Sequence, residues 1–89
     1  MIEVAWDESF KRSYKKRIKS NAALKMKFWS KIELFLSDPF AVKLKTHKLS
    51  GKLIGLWAFS VDDDCRVIFE FVGDSKVLLV DIGKHEEVY

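Results

Sequence analysis

Residues 65–82 have the sequence CRVIFEFVGDSKVLLVDI, and this stretch decides the fold. Apolar side chains occupy every second position of residues 65–72, which is the period of a strand with one buried face. Gly-Asp-Ser at positions 73–75 predicts a turn. Residues 77–82 are almost all apolar, as in a central strand covered on both faces. The stretch therefore predicts two neighbouring strands, the second of them inside a sheet.

Further strands are predicted on either side of this pair. Trp57, Phe59 and Val61 alternate with other residues ahead of a turn formed by the three aspartates of positions 62–64. A third strand thus precedes the pair, and the three form an antiparallel meander. Residues 2–6 also alternate apolar and polar side chains, which predicts a strand at the start of the chain.

Two helices are predicted between the first strand and the meander. Asp7 stands at an N-cap position, followed by an apolar stripe with a period of four residues. Asn21 can cap the second helix, and Asp38-Pro39 ends it because the residue before proline disfavours helix. The stripes consist of Phe10, Tyr14 and Ile18 in the first helix, and of Leu24, Phe28, Ile32, Phe35 and Leu36 in the second, widened by Met26 and Trp29.

The order strand, helix, helix, strand, strand, strand predicts an α+β fold. We expect a helical hairpin packed on one face of a four-stranded sheet, with residues 1–89 forming one domain. Residues 40–52 are interpreted as a basic connection between the hairpin and the meander.

Composition limits the class of protein. No apolar run approaches the roughly 20 residues that a membrane helix needs. The start, Met1-Ile2-Glu3-Val4, lacks the basic and apolar regions of a signal peptide. The single cysteine, Cys65, cannot form an internal disulfide and is expected to be a small apolar strand residue. These features predict a cytoplasmic protein with no membrane contact.

The charge is distributed unevenly. Residues 1–52 hold 13 Lys/Arg against 5 Asp/Glu, whereas residues 53–89 hold 3 against 8. A basic region of this kind fits a polyanion such as RNA, although charge runs are also common on solvated helix faces. We expect RNA contacts from Lys15 and Lys16 in the first helix. Lys45, Lys48 and Lys52 in the basic connection are expected to make them as well.

Four segments carry a resemblance to known toxins. They are His47-Lys48-Leu49-Ser50-Gly51, Gly55-Leu56-Trp57, Asp64-Cys65-Arg66-Val67-Ile68-Phe69 and Ile82-Gly83-Lys84-His85-Glu86-Glu87-Val88-Tyr89. With the hairpin that ends at Asp38-Pro39, they resemble the RelE/ParE toxin superfamily, most closely the branch containing RelE and YafQ. The likeness covers essentially the whole chain.

The resemblance implies a function. It implies a RelE-like fold and metal-free endoribonuclease cleavage of mRNA in the ribosomal A site, without a cofactor. It also implies a cognate antitoxin that wraps the toxin and blocks its site. Operator DNA would be bound only through that antitoxin.

The resemblance also implies a set of site residues. His47, Asp64, Arg66, His85 and Tyr89 match the functional positions of relatives. Arginine can donate two hydrogen bonds to a phosphorane, and histidine, with an ordinary pKa of about 6.5, suits proton transfer. We assign Arg66 to the phosphate and His85 to the acid. His47 remains either the base or a phosphate contact.

Tyr89 is expected to stack on or orient a base, or to hold a proton-transfer partner, and Asp64 to orient a neighbour such as a histidine. Without the resemblance, Arg66 would be interpreted as a surface ion pair with Glu70, and His47 as an ordinary exposed residue. A metal site formed by the two histidines and an aspartate has no support in their spacing.

Three positions depart from the relatives. Ser60 stands where YafQ-like members have a second-strand histidine, which removes one possible proton-transfer group. Cys65 replaces an aromatic residue of some relatives. Asp81 stands where RelE-like members can carry a basic residue, so a second arginine-type clamp is in doubt. Two other functions stay open: a ParE-like DNA gyrase poison, and a non-catalytic antitoxin-binding co-repressor module.

Overall fold

A computed structural model describes residues 2–89. The strands are β1 (Glu3–Trp6), β2 (His47–Lys48), β3 (Trp57–Ser60), β4 (Cys65–Phe71) and β5 (Lys76–Lys84). The helices are α1 (Glu8–Arg17), α2 (Ala22–Ser37) and a single turn, α3 (His85–Val88). Short 3-10 turns at Val42–Leu44 and Gly51–Leu53 flank β2. The predicted α+β class and the order of its elements are confirmed.

The sheet has five strands in the order β1-β5-β4-β3-β2. The predicted meander β3-β4-β5 is antiparallel, and β1 pairs in parallel with β5. The prediction of four strands is wrong by one, because His47 and Lys48 of the basic connection pair with Ala58 and Trp57. Two residues are too few to show a period-two pattern in the sequence.

β5 lies inside the sheet, as its apolar sequence predicts, with β1 on one side and β4 on the other. Its pairing with β4 contains a bulge: Ile68 lies opposite Asp81, but Phe69 lies opposite Leu79. Val80 is therefore the extra residue on β5. The bulge shifts the alternation so that Ile82 joins Leu79 in the core.

The helices begin at the predicted caps. The Asp7 carboxylate accepts from the Ser9 amide at 3.1 Å, and the Asn21 side chain accepts from the Leu24 amide at 3.1 Å. The stripes meet the sheet in an aromatic core, where Phe35 stacks on Phe59 with ring centroids 4.8 Å apart. Other helix side chains buried in this core include Phe10, Ile18, Phe28 and Ile32.

The width predicted for the α2 stripe is wrong. Met26 is 74% exposed and Trp29 46% exposed, so both lie on the outer side of the helix. Trp29 turns its indole Nε1 to the Tyr14 hydroxyl, to which it donates at 3.1 Å. This hydrogen bond links the two helices outside the core.

α1 covers the part of β5 that β1 leaves unpaired. β1 ends at Trp6, opposite Leu79, whereas β5 continues to Lys84. The Ser9 hydroxyl donates to the Val80 carbonyl at 2.6 Å, and Arg17 Nη1 donates to the Ile82 carbonyl at 2.9 Å. Side chains of α1 thus occupy carbonyls that a neighbouring strand would otherwise bind.

Cys65 is a free, buried cysteine, as predicted. Its thiol lies in the core beside α2, and burial raises its pKa to about 12. None of the helices within residues 2–89 is both long and apolar enough to cross a membrane.

Candidate active site at the end of strand β5

Strand β5 leads directly into α3, a single helical turn. The Tyr89 amide donates to the His85 carbonyl at 3.0 Å, which places the two side chains on one side of the turn. Their rings meet edge to face, with centroids 4.4 Å apart and planes at 89°. The turn therefore brings an imidazole and a phenol into direct contact.

Arg66 faces this turn from β4. Its Nη1 donates to the carbonyls of Asp62 and Asp63 at 3.1 and 3.2 Å, which fixes one end of the guanidinium on the β3–β4 turn. Within residues 2–89, its Nε and Nη2 make no hydrogen bond, and it forms no ion pair with Glu70. The free donors can therefore bind the oxygens of a phosphate.

Tyr89 lies within the electrostatic reach of Arg66. Partial burial raises the pKa of the Tyr89 hydroxyl, and the nearby Arg66 charge opposes that rise. The hydroxyl is thus a neutral donor at physiological pH. Tyr89 is also 43% exposed and lines a groove of about 330 Å³ with Leu49, Ser50, Lys52 and Leu53. An exposed aromatic ring beside a lysine is a suitable surface for stacking a nucleotide base.

His47 lies on the same face of the sheet as Arg66. His47 pairs with Ala58, and Arg66 pairs with Ser60. Because Ala58 and Ser60 are two residues apart on β3, the side chains of His47 and Arg66 point to the same face of the sheet. Two strand spacings and two residue steps put their Cα atoms about 12 Å apart. His47 Nδ1 lies 2.9 Å from the Lys45 carbonyl, which can only accept, so Nδ1 carries a proton. In the neutral ring, Nε2 is then free to take a proton.

Asp64 does not make the contact expected of it. Its side chain forms no hydrogen bond or ion pair with any described residue, a histidine included. The turn is organised by Asp62, whose Oδ1 accepts from the amides of Asp64 and Cys65 at 2.9 and 2.8 Å. Lys27 pairs with the other oxygen of Asp62 at 3.5 Å. A role for Asp64 remains a prediction, and the structure gives it no orienting partner.

The five lysines predicted to contact RNA are all exposed. Lys15 and Lys16 lie in the last turn of α1, whereas Lys45 and Lys48 lie next to His47. Lys48 holds its ammonium group 5.7 Å from the centre of the Trp57 ring. Within residues 2–89 none of the five forms a salt bridge, so their charges are available to a polyanion.

Ser60 and Gly83 flank Arg66 on the two neighbouring strands. Ser60 is 6% exposed, so it offers no accessible group at the position where the resemblance implies a histidine. Asp81 forms a salt bridge with Arg17 Nη1 at 3.4 Å. Arg17 also contacts Glu87. The sequence did not single out Arg17 or Glu87, because Arg17 lies in a run of basic residues. Among residues 2–89 no group of three potential metal ligands occurs.

Comparison with known proteins identifies the class. The family model of the YafQ toxin, described as a bacterial toxin of type II toxin–antitoxin systems, matches residues 2–89. A comparison with curated protein sequences finds no match. The class is thus that of the type II toxins. The chain is a member of the YafQ toxin family, and the predicted resemblance is confirmed at that level.

Solved structures show the same fold. A YoeB/ParE toxin from Agrobacterium tumefaciens matches with a TM-score of 0.78 and 20% identity, over 94% of this chain and 99% of that one. YafQ from Escherichia coli matches with a TM-score of 0.76 and 17% identity, over 100% and 99%. The E. coli DinJ–YafQ complex matches with a TM-score of 0.69 and 18% identity, over 100% and 99%.

Proposed function

We propose that this YafQ-family toxin is a ribosome-dependent mRNA endoribonuclease. The observation that carries the proposal is the edge-to-face contact of His85 with Tyr89 beside Arg66. An imidazole for proton transfer and a guanidinium with free donors are groups that RNA cleavage through the 2′-hydroxyl uses, and an exposed aromatic ring can bind a base of the substrate. The basic surface around His47 supports an RNA substrate.

The reaction forms one bond and breaks another at the same phosphorus. A base takes the proton of the 2′-hydroxyl, whose oxygen attacks phosphorus, and the bond to the 5′-oxygen then breaks. His47 Nε2 is the candidate base. Arg66 holds the charge of the phosphorane, and His85 gives a proton to the departing 5′-oxygen. The products are a 2′,3′-cyclic phosphate and a 5′-hydroxyl.

Tyr89 has two parts in this scheme. Its ring keeps the His85 imidazole in place through the edge-to-face contact and stacks on a base of the message, and its neutral hydroxyl donates to the phosphate. Losing a preorganised donor at such a site costs about 3–4 kcal/mol of barrier, or a factor of 10²–10³ in rate. Because Asp64 has no partner among residues 2–89, it is the weakest candidate of the site.

The proposed partners follow from the class and the charge. A cognate antitoxin binds the toxin and blocks its site, as DinJ is complexed with YafQ in the E. coli structure. The exposed lysines contact ribosomal RNA and hold the protein in the A site. Operator DNA is reached only through the antitoxin, and the protein acts in the cytoplasm.

The test adds purified protein to a translating extract and to the same mRNA without ribosomes. We expect cuts only when ribosomes are present, with 2′,3′-cyclic phosphate ends on the products. The His85→Ala protein should leave the mRNA intact, whereas Glu86→Ala, a change of an exposed neighbour, should cut normally. Products with 3′-hydroxyl ends would indicate a metal-activated water and contradict the mechanism.

The same preparation separates the alternatives. Equal cutting of free RNA would contradict ribosome dependence. Trapped gyrase–DNA breaks with intact mRNA would support a gyrase poison. If neither cut mRNA nor trapped breaks appear, the co-repressor module is the remaining function. Either of the last two results would overturn the nuclease.

A further inference from the structure

Arg17 ends α1 and points its guanidinium group at the end of β5. Its side chain is 22% exposed. Nη1 donates to the Ile82 carbonyl at 2.9 Å and lies 3.4 Å from Asp81 Oδ1. Nε is buried and lies 3.6 Å from Glu87 Oε2. One side chain of α1 therefore contacts both β5 and the α3 turn that follows it.

Glu87 connects this guanidinium to the start of α3. Its Oε1 accepts from the Lys84 amide at 2.6 Å, while Oε2 faces Arg17. Among the described residues this is the one salt bridge that α3 makes. A single helical turn is not stable alone, since forming the first turn costs more than its hydrogen bonds return. The position of α3 therefore depends on contacts such as this one.

Gly83 leaves the space that the contact needs. A Cβ atom at this position would lie 2.6 Å from Arg17 Nη1 and 2.9 Å from Glu87 Oε1. Gly83 also lies opposite Arg66 on the neighbouring strand. Arg17 and Glu87 therefore meet at the residue of β5 that lies opposite Arg66, whose guanidinium is assigned to the phosphate. This residue, Gly83, comes two positions before His85.

We propose that Arg17 is a positioning residue of the active site. It holds Glu87 and the end of β5 so that α3 presents His85 and Tyr89 beside Arg66. The inference rests on the proposed function for its kinetic consequence, but the arrangement of α3 can be tested without it. Asp81, which stands where relatives can carry a basic residue, serves here as the second carboxylate that binds Arg17.

The competing explanation is that Arg17 is one more RNA contact in the basic run of α1. The geometry favours positioning, because the guanidinium is mostly buried and already faces two carboxylates and a carbonyl. RNA binding would need only the positive charge of this side chain, which a lysine at position 17 would supply equally well. Positioning needs the planar fork, which reaches Ile82 and Glu87 at the same time.

The experiment compares Arg17→Lys and Glu87→Gln with the wild type, and uses Arg12→Lys on the same helix as the control. Steady-state cleavage on ribosomes gives kcat and KM separately. Proton NMR of the free protein records the ring-current shifts and the cross-relaxation between the His85 and Tyr89 rings. Thermal melting reports whether each variant folds.

We expect Arg17→Lys and Glu87→Gln to lower kcat by about 10- to 100-fold with KM nearly unchanged, as a displaced catalytic group does. The contacts between the two rings should weaken in both variants, and the double variant should lose no more than the worse single one. Arg12→Lys should match the wild type in every measurement.

Raised KM with unchanged kcat in an Arg17→Lys protein that keeps its ring contacts would overturn positioning in favour of RNA binding. Unchanged ring contacts in Glu87→Gln would also overturn it, even if Arg17→Lys failed to fold. If the wild type cuts no RNA, the proposed function fails. The NMR comparison then decides the role of Arg17 alone.

Discussion

Arg66 and Arg17 both bind main-chain carbonyls, but they leave different parts of the guanidinium free. Arg66 uses one nitrogen on the Asp62 and Asp63 carbonyls and keeps its other donors available. Arg17 faces Asp81, Ile82 and Glu87 with most of its side chain covered. The first arrangement suits a residue that contacts substrate, and the second suits one that orders the protein.

At the scale of single residues, the sharpest prediction concerns the His85–Tyr89 pair. Changing either residue to alanine should abolish growth arrest on induction in a host cell, because each removes one group from the site. Both side chains are exposed, so the free energy of unfolding should fall by about 1 kcal/mol or less. Melting and antitoxin pull-down measure the fold separately from the toxicity.

Glu86→Ala is the matched control for this pair, since Glu86 is an exposed neighbour on the same turn. Growth arrest by His85→Ala and by Tyr89→Ala would refute the assignment of the site but leave the fold untouched. Loss of both toxicity and folding would show that the turn is structural.

A second residue-scale prediction concerns Cys65. Because the pKa of its buried thiol is raised from 9.0 to about 12, the unfolded chain ionises first as the pH rises. The contribution of Cys65 is fully present below pH 9 and is lost between pH 9 and about 12. The free energy of unfolding should fall by up to ~1.4 kcal/mol per pH unit in that window.

Urea unfolding at several pH values, with Cys65→Ala as the reference, isolates this effect. Lysines and tyrosines titrate in both proteins and cancel in the difference. The alanine protein should be less stable at pH 7 because of the lost packing, and the gap should narrow above pH 9. A gap that stays constant with pH would contradict the raised pKa.

At the scale of elements, the prediction falls on the junction of β5 with α3. A methyl group in Gly83→Ala would meet the ends of Arg17 and Glu87, both of which can move. The cost should therefore appear in the placement of α3 and not in the fold. We expect cleavage to fall about 10-fold or more, with a change of melting temperature of only a few degrees.

Gly73→Ala is the control for this substitution, because Gly73 lies in the β4–β5 turn with nothing within 4 Å of an added Cβ. Its φ of 130° makes alanine strained there, so it should lower stability without touching the site. If both substitutions lowered cleavage by the same factor for the same loss of stability, the junction would have no special role.

The elements differ in how far the sequence predicts them. Asp7 and Asn21 were recognisable caps because capping needs only a side chain and an amide three residues or fewer away. The bulge at Val80 and the two-residue β2 were not, since both depend on the partner strand. Glu87 looked like an ordinary acidic surface residue, because its partner, Arg17, is 70 residues earlier in the chain.

At the scale of the whole molecule, the prediction concerns its uneven charge. Reversing Lys45 and Lys48 to glutamate should weaken ribosome association and make it less steeply dependent on salt, because fewer counterions are released from RNA. The control is a protein in which Lys25 and Lys76 are changed to glutamate, so that the two double variants carry the same net charge. Sedimentation with ribosomes at several salt concentrations measures both.

If the two double variants lose affinity equally, net charge alone steers the protein and no lysine patch is involved. A steeper salt dependence after reversal of Lys45 and Lys48 would contradict a contact with ribosomal RNA. The same assay on Lys15 and Lys16 tests whether α1 belongs to the contact surface.

The parallel pairing of β1 with β5 sets the order in which the molecule can be completed. Residues 3–6 pair with residues 76–79, and β5 is synthesised after both strands that flank it. During translation the other elements therefore lack the strand that joins them, and contacts of such long sequence separation form slowly. His85 and Tyr89 follow β5, so a nascent chain carries no assembled site. Under the proposed function, a chain whose β5 is still inside the exit tunnel has no assembled site with which to cut a message.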